Sequence, residues 1–425
     1  MRIALATANA RITGGAESYP DSIIPMLHEA GHQTALICEY DAPPHRRRIN
    51  TVQTAPLWLV SETGLTSALE ELKRWRPAVI FSQCMPSAEL EMQLHKIAPT
   101  VNFIHTQYGL CISGAKMFSY PVPRICHRPL GKLCLAHFYP HRCGGLNPLT
   151  MLRDYRTQTA RLGAMRSAHA IVTASEYMRL ELLRHGFEPR NVHTVGLPVF
   201  DSTVTYPSKI NDNSVNRRTP EAVNHGLSPI PHRVLFIGRL EKPKGASLLI
   251  DAMIAAAALL RRRLTLTFAG DGRERGALED KVRHLSGEDL SVNFVFTGWL
   301  EREQLWALID QSDLLAVPSL SPETFGLVGV EGGLRYLPAV AFNAGGIAEW
   351  LKDGVNGRMA RSCPPTAETF ASALADCLSN PANYARLRQG ARNMALRFSP
   401  QAHLKKLLPI LHEASSGEVW SLSHS

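Results

Sequence analysis

Nowhere in this 425-residue sequence do about 18 apolar residues run together, so no segment is composed to cross a bilayer as a helix. Residues 1–9 are apolar but too short for a signal peptide, and they read as a buried first strand. The expectation is a protein that stays in the cytoplasm. Acidic side chains are missing from residues 101–150, where five basic ones stand. Over residues 1–199, 21 Lys and Arg face 14 Asp and Glu, so this stretch carries +7 of the total +9. Such charge is either a solvated basic face or a surface that meets an anionic membrane or a phosphate-bearing acceptor. No nucleic-acid-binding motif accompanies it, and nucleic acid is not expected as a partner. Tight Cys-x2-Cys pairs are missing as well. The eight cysteines do not form a secreted disulfide framework in a chain this long. Four of them, Cys111, Cys126, Cys134 and Cys143, cluster with histidines between them and could hold structural zinc. Their intervals of 14, 7 and 8 residues favour reduced thiols packing an irregular loop.

What is present is enough apolar material for two cores. Hydrophobic residues make up 45% and charged ones 20%, and the length implies two domains of about 200 residues each. Strand-like runs fall at 2–7, 33–38, 78–81, 100–105, 170–173 and 193–195. Helical periodicity falls between them at 16–30, 63–75, 87–97, 155–167 and 176–185. Strands alternating with helices predict a parallel, doubly wound α/β sheet across a first domain, 1–199. Residues 110–149, rich in Pro, Gly, Cys and aromatics, break the rhythm and read as an insertion over the C-terminal edge of that sheet. A polar, aperiodic linker is expected at 200–232. The alternation resumes in a second domain, 233–397, with strands at 233–238, 264–269, 292–297, 314–317 and 339–342. A last helix is expected near 398–413 and a disordered tail at 414–425.

Within the second domain, Glu323 and Glu331 stand eight residues apart around Thr324-Phe325-Gly326-Leu327. Pro322 ends the preceding segment, and Thr324 is placed to cap a helix running to about Tyr336. Glu323 would then sit just before the helix and Glu331 roughly 10 Å along it. The unpaired N–H groups of the first turn, between the two carboxylates, suit a diphosphate. The pattern fits a nucleotide-sugar: acids for the hydroxyls of sugar and ribose, amides for the phosphates.

Two further motifs flank the pair. Gly238-Arg239-Leu240 with Lys244-Gly245 follows a short apolar run, and Asn343-Ala344-Gly345-Gly346 follows another. Together these resemble the signatures of retaining glycosyltransferases of family 4, the group 1 type, which have the GT-B fold of two Rossmann-like domains facing a central cleft. Family members usually carry Glu-Ala-Met-Ala where this chain has Glu331-Gly332-Gly333-Leu334. In GT-B proteins the final helix crosses back onto the first domain. Some members bear similar cysteine-containing inserts.

The resemblance implies roles for particular residues. Arg239 and Lys244 would bind the phosphates of the leaving group; no Asp-x-Asp motif is present to hold a metal for that task. Glu323 would bind donor-sugar hydroxyls and Glu331 the ribose, with Phe325, Gly326 and Leu327 facing the phosphates. Gly298 and Leu300 match a loop that meets the nucleobase, and Gly14-Gly15 a glycine loop near the diphosphate or the acceptor. His105 matches a histidine beside the transferred sugar, a buried structural role being its competitor. The implied activity is a metal-independent, front-face sugar transfer from a UDP- or GDP-sugar to a glycan, lipid-linked or polysaccharide acceptor, without a cofactor. An inactive scaffold of the same fold and a nucleotide-sugar epimerase or phosphorylase are the alternatives. Gly270-Asp271-Gly272 is not the Gly-x-Gly-x-x-Gly of an NAD(P) enzyme.

Overall fold

The computed structural model describes residues 1–12, 15–41, 46–49, 55–83, 85–200, 232–285 and 291–416. The expected linker at 200–232 and the tail from 417 onward fall almost wholly outside these residues. The chain divides into two units. The first comprises Met1–Lys116, His127–Gly196 and the segment from Pro400 on; the second comprises Met117–Cys126 and Leu197–Ser399.

The first unit is built on β1 (Arg2–Asn9), β2 (Gln33–Tyr40), β3 (Leu57–Leu59), β4 (Val79–Ser82) and β5 (Thr100–Ile104). After a short hairpin that groups with the second unit, β6 (Met117–Phe118) and β7 (Arg124–Ile125), come β8 (Ala170–Thr173) and β9 (Val192–Thr194) of the first. Seven strands form one parallel sheet in the order β3-β2-β1-β4-β5-β8-β9. Ile3, Ala4, Leu5 and Ala6 are all buried, as expected where helices cover both faces of a parallel sheet. The helix Pro400–Ser416 belongs to this unit and packs on β4 and β5. It runs past residue 413 because Ala414 is still buried.

The second unit repeats the plan with β10 (Arg233–Ile237), β11 (Leu264–Ala269), β12 (Val292–Gly298), β13 (Leu314–Val317), β14 (Ala339–Phe342) and β15 (Gly357–Ala360). All are parallel, in the order β12-β11-β10-β13-β14-β15. Two Rossmann-like parallel-sheet domains are what the expected GT-B fold requires. The edge strands β3 and β15 escape the sequence pattern because neither is buried along its whole length, as the central strands β4, β5, β13 and β14 are. Lys242–Leu260 does have the length and composition of a membrane span. However, Leu249, Ile250, Ala252, Met253, Ala256 and Ala257 on its helix are buried in the core of the second unit.

Candidate functional site

In both sheets the strand order reverses direction beside the first strand, and ligands of open α/β sheets bind outside the carboxyl ends of the strands at that point. In the second unit this is the junction of β10 and β13. The turn after β10 is shaped by backbone contact. Gly238 donates to the Ala269 carbonyl at 3.0 Å, and a Cβ on Gly270 would lie 2.0 Å from the Gly238 oxygen. Lys242–Lys244 forms a 3-10 turn ending at Gly245, which is left-handed at φ 73°. A Cβ there would sit 2.1 Å from the Pro318 carbonyl oxygen. Leu320 N–H donates to the Pro243 carbonyl at 2.8 Å, so the turn bearing Lys244 is stitched to the loop after β13.

That loop carries Glu323. Its N–H donates to Ala344 at 3.1 Å and its carbonyl accepts from Gly346 at 2.7 Å, which joins it to the Gly345-Gly346 loop after β14. Glycine is required there, since a Cβ on Gly345 would lie 2.3 Å from the Glu323 carbonyl oxygen. The side chain accepts from Lys244 Nζ at 2.6 Å and from the Ser319 hydroxyl. Burial pushes the Glu323 carboxyl up, but the Lys244 charge, the bonds from Lys244 and Ser319 and the field of Arg239 outweigh it. The net shift is downward, so Glu323 is ionised at neutral pH. Arg239 is 69% exposed and donates to Glu241 at 3.1 Å.

The helix behind Glu323 is shorter than expected, Leu327–Leu334, and Gly326, left-handed at φ 82°, holds the capping position instead of Thr324. Tyr336, at φ 59°, turns the chain out of the helix. Phe325 is buried, and its carbonyl accepts from Trp350 Nε1 at 2.7 Å. A Cβ on Gly329 would meet the Trp350 ring at 2.2 Å. The Gly332-Gly333 departure has a similar cause: a Cβ on Gly333 would lie 2.8 Å from the Ala391 carbonyl of the helix Pro381–Leu396. Glycines here let two helices approach closely. The first N–H groups of Leu327–Leu334 lie ahead of its internal ladder and need outside partners. Glu331, half-buried two turns from Glu323, has a carboxyl raised by burial and pulled partly back by Arg302. Gly298 ends β12, its carbonyl accepting from Gly270 at 2.9 Å, and Leu300 is half-buried just beyond.

Thus Arg239, Lys244 and Glu323 come together, with the open helix end and Glu331 behind them, all within the second unit. Sequence reasoning missed Ser319, Arg302 and Trp350, which act on the pair and its helix. Ser319 stands four residues before Glu323 in the same loop and was the one within reach.

His105, Gly14 and Gly15 lie in the first unit. His105 follows β5, and Gln83 follows the neighbouring β4. Gln83 donates through its amide nitrogen to the Phe81 carbonyl at 3.4 Å, which turns its oxygen toward His105 Nε2, 2.7 Å away. His105 therefore carries its proton on Nε2 and offers Nδ1 as an acceptor. Burial, and secondarily His403, lower its pKa to about 3, so the ring is neutral. Gly15 opens the helix Gly15–Glu29; Gly14 lies outside the described residues. The cysteine cluster does not assemble. Cys111 bonds Ser113, Cys134 faces the Pro129 carbonyl and Cys143 the His137 carbonyl, while Cys126 is half-buried. Among the described residues no group of three or more His, Cys, Asp or Glu is placed to hold a metal.

Known proteins give this arrangement a family. Residues 13–199 match the model described as Glycosyltransferase Family 4, and residues 220–394 the model Glycosyl transferases group 1. A glycogen synthase of Mycobacterium tuberculosis is 34% identical over 166 residues, 38% of this chain and 37% of that protein. A D-inositol 3-phosphate glycosyltransferase 2 of Catenulispora acidiphila is 29% identical over 59% of this chain and 58% of its own length. The chain thus spans between about a third and three fifths of these curated relatives. Among solved structures, HepE of Anabaena in complex with UDP and glucose aligns with a TM-score of 0.64 at 18% identity, covering 97% of this chain and 100% of that one. Sucrose-phosphate synthase of Thermosynechococcus elongatus aligns with a TM-score of 0.66 at 18% identity, covering 98% and 100%. At that identity the likeness is one of fold.

Proposed function

Because the chain belongs to the family 4, group 1 glycosyltransferases, we propose that it moves a sugar from a UDP- or GDP-sugar to a glycan, lipid-linked or polysaccharide acceptor. The observation that carries this reading is the Lys244–Glu323 pair at 2.6 Å beside an uncapped helix N-terminus, with Glu331 further along the same helix. Lys244 and Arg239 meet the negative charge that develops on the departing diphosphate, and the helix N–H groups share it. Glu323 is already ionised and rigidly held, and it grips donor-sugar hydroxyls. Glu331 binds the ribose. HepE structures with UDP and with UDP-glucose support a nucleotide-sugar donor.

The transfer retains configuration by a front-face course. The C1–O bond to the diphosphate breaks, the acceptor oxygen bonds to C1 on the same face, and a leaving phosphate oxygen takes the acceptor proton. Fixed cations carry the charge without a metal or other cofactor. His105, neutral and presenting Nδ1, accepts a hydrogen bond from a hydroxyl of the sugar in this reading, with Gly15 near the diphosphate and Gly298 and Leu300 at the base. The site of action is the cytoplasm, at the edge of a membrane.

Calorimetry against UDP-, GDP- and ADP-sugars tests the donor, and failure of all three to bind would remove it. Lys244→Ala is expected to slow turnover roughly a hundredfold, as loss of one preorganised donor does. Nucleotide release that is independent of any acceptor, or absent altogether, would point to an epimerase or a scaffold.

A further inference from the structure

The insert of the first unit holds three leucines in solvent. Leu133, opening the helix Leu133–Phe138, is 69% exposed; Leu146, in the loop beyond, is 81% exposed; Leu149, in the first turn of Pro148–Arg166, is 77% exposed. These are not the loose ends of a mobile loop, for the insert has a buried polar anchor. Lys116 donates to the Leu110 and Arg128 carbonyls and pairs with Glu181 at 3.1 Å, both side chains lying out of solvent. Leu130 N–H donates to His185 Nε2 at 2.9 Å. On the long helix, Leu149, Leu152, Arg153 and Arg156 are spaced to share one exposed face. Arg156 lies roughly 10 Å along the axis from Leu149. Residues 127–156 contain five basic side chains and one acid, Asp154, which lies 3.3 Å from Arg153. A cavity of about 360 Å³, lined by Phe138, Leu146 and Met151 among others, opens at Leu146.

We propose that this face docks on an anionic lipid surface. Leu133, Leu146 and Leu149 enter the interfacial layer, and Lys132, Arg142, Arg153 and Arg156 reach the lipid phosphates. Apolar tips backed by basic side chains are the arrangement that gives a peripheral protein two additive attractions to such a surface. The same charge argues against a second copy of this chain as the occupant, because a two-fold interface would oppose like patches.

The test is co-sedimentation of the full chain with vesicles of phosphatidylcholine and of an equal mixture of phosphatidylcholine and phosphatidylglycerol. Binding is expected to the mixed vesicles, weaker to the neutral ones, and declining as salt screens the arginines. The variant Leu146→Ser/Leu149→Ser is expected to partition at least about tenfold more weakly, with its melting temperature and its affinity for UDP-sugar unchanged. Arg142→Glu/Arg153→Glu is expected to lose the preference for anionic vesicles. Absence of wild-type binding to mixed vesicles, or equal binding by the serine variant, overturns the proposal. So would a dimer in sedimentation velocity that the serine variant abolishes without any vesicle binding. Nucleotide titration of the same samples reports on the donor site separately, so the two readings fail independently.

Discussion

Two carboxylates eight residues apart in one segment are tuned in opposite directions. Glu323 lies beside Lys244 and Ser319, and its pKa falls; at Glu331 burial outweighs the field of Arg302, and its pKa rises. The sign of each contribution to stability follows. Glu323, depressed in the folded state, stabilises above the unfolded value near 4.5, and that stability is lost as pH falls through the folded value. Glu331, raised in the folded state, favours folding below 4.5 and loses that contribution as pH rises through its folded value. Glu331→Gln should therefore raise the melting temperature at pH 7, with the gain vanishing at acid pH. The same change should weaken nucleotide binding by about 1.5–3 kcal/mol, the worth of a hydrogen bond to a charged group. Melting curves at several pH values, together with calorimetry, check both halves. A variant less stable at pH 7 would mean that Glu331 is not a strained carboxylate. The Glu323–Glu331 spacing was visible in the sequence. The opposite tuning was not, because it depends on Lys244, 79 positions before Glu323 in the chain.

At the scale of elements, the helix Leu327–Leu334 owes its position to glycine more than to helix propensity. Propensity alone makes Gly→Ala favourable by about 1 kcal/mol in a helix interior. At Gly329 the added methyl would lie 2.2 Å from the Trp350 ring, a clash that overpacking studies put at about 1–3 kcal/mol or more. Packing is the larger effect, so Gly329→Ala is expected to lower stability in urea unfolding and to shift the hydrogen bond from Trp350 to Phe325. A neutral or stabilising result would show that Trp350 gives way easily. The sequence placed this helix but ended it at Tyr336 and capped it with Thr324. Apolar periodicity sees neither a left-handed residue nor a tryptophan arriving from another loop. The helix Pro148–Arg166 shows the converse. The sequence reading started it at 155, yet Leu149 and Leu152 are at helical spacing, Asn147 caps it by accepting from Leu149 at 2.9 Å and Pro148 fills its first position. That signal was legible and outweighed by the irregular composition around it.

For the molecule as a whole, the last helix closes the first unit through one histidine. His403 Nδ1 donates to the Gly196 carbonyl at 2.8 Å, which fixes the tautomer, and Nε2 accepts from the Tyr19 hydroxyl at 2.8 Å. Burial lowers His403 to about 4 and His105 to about 3, from 6.5. Both depressed values mean stability present above 6.5 and lost as pH falls toward 4, since the unfolded chain binds protons that the folded one refuses. His403→Gln should flatten that acid slope, and His403→Leu should destabilise by about 1–3 kcal/mol for each partner left unbonded. Thermal unfolding between pH 4 and 7 checks both, and an unchanged slope in the glutamine variant would exclude His403 as a source. Strand–helix alternation was enough to determine two parallel-sheet domains, because buried parallel strands write themselves as short apolar runs. The turn motifs were enough to mark the segments that bring Lys244 to Glu323, because the glycines that permit such close backbone approach stand in local sequence. Tertiary structure alone decided that Gln83 meets His105, that the clustered cysteines form no group of three or more among the described residues, and that burial raises the Glu331 carboxyl. Each of these depends on distance through space between segments far apart along the chain, which no local pattern records.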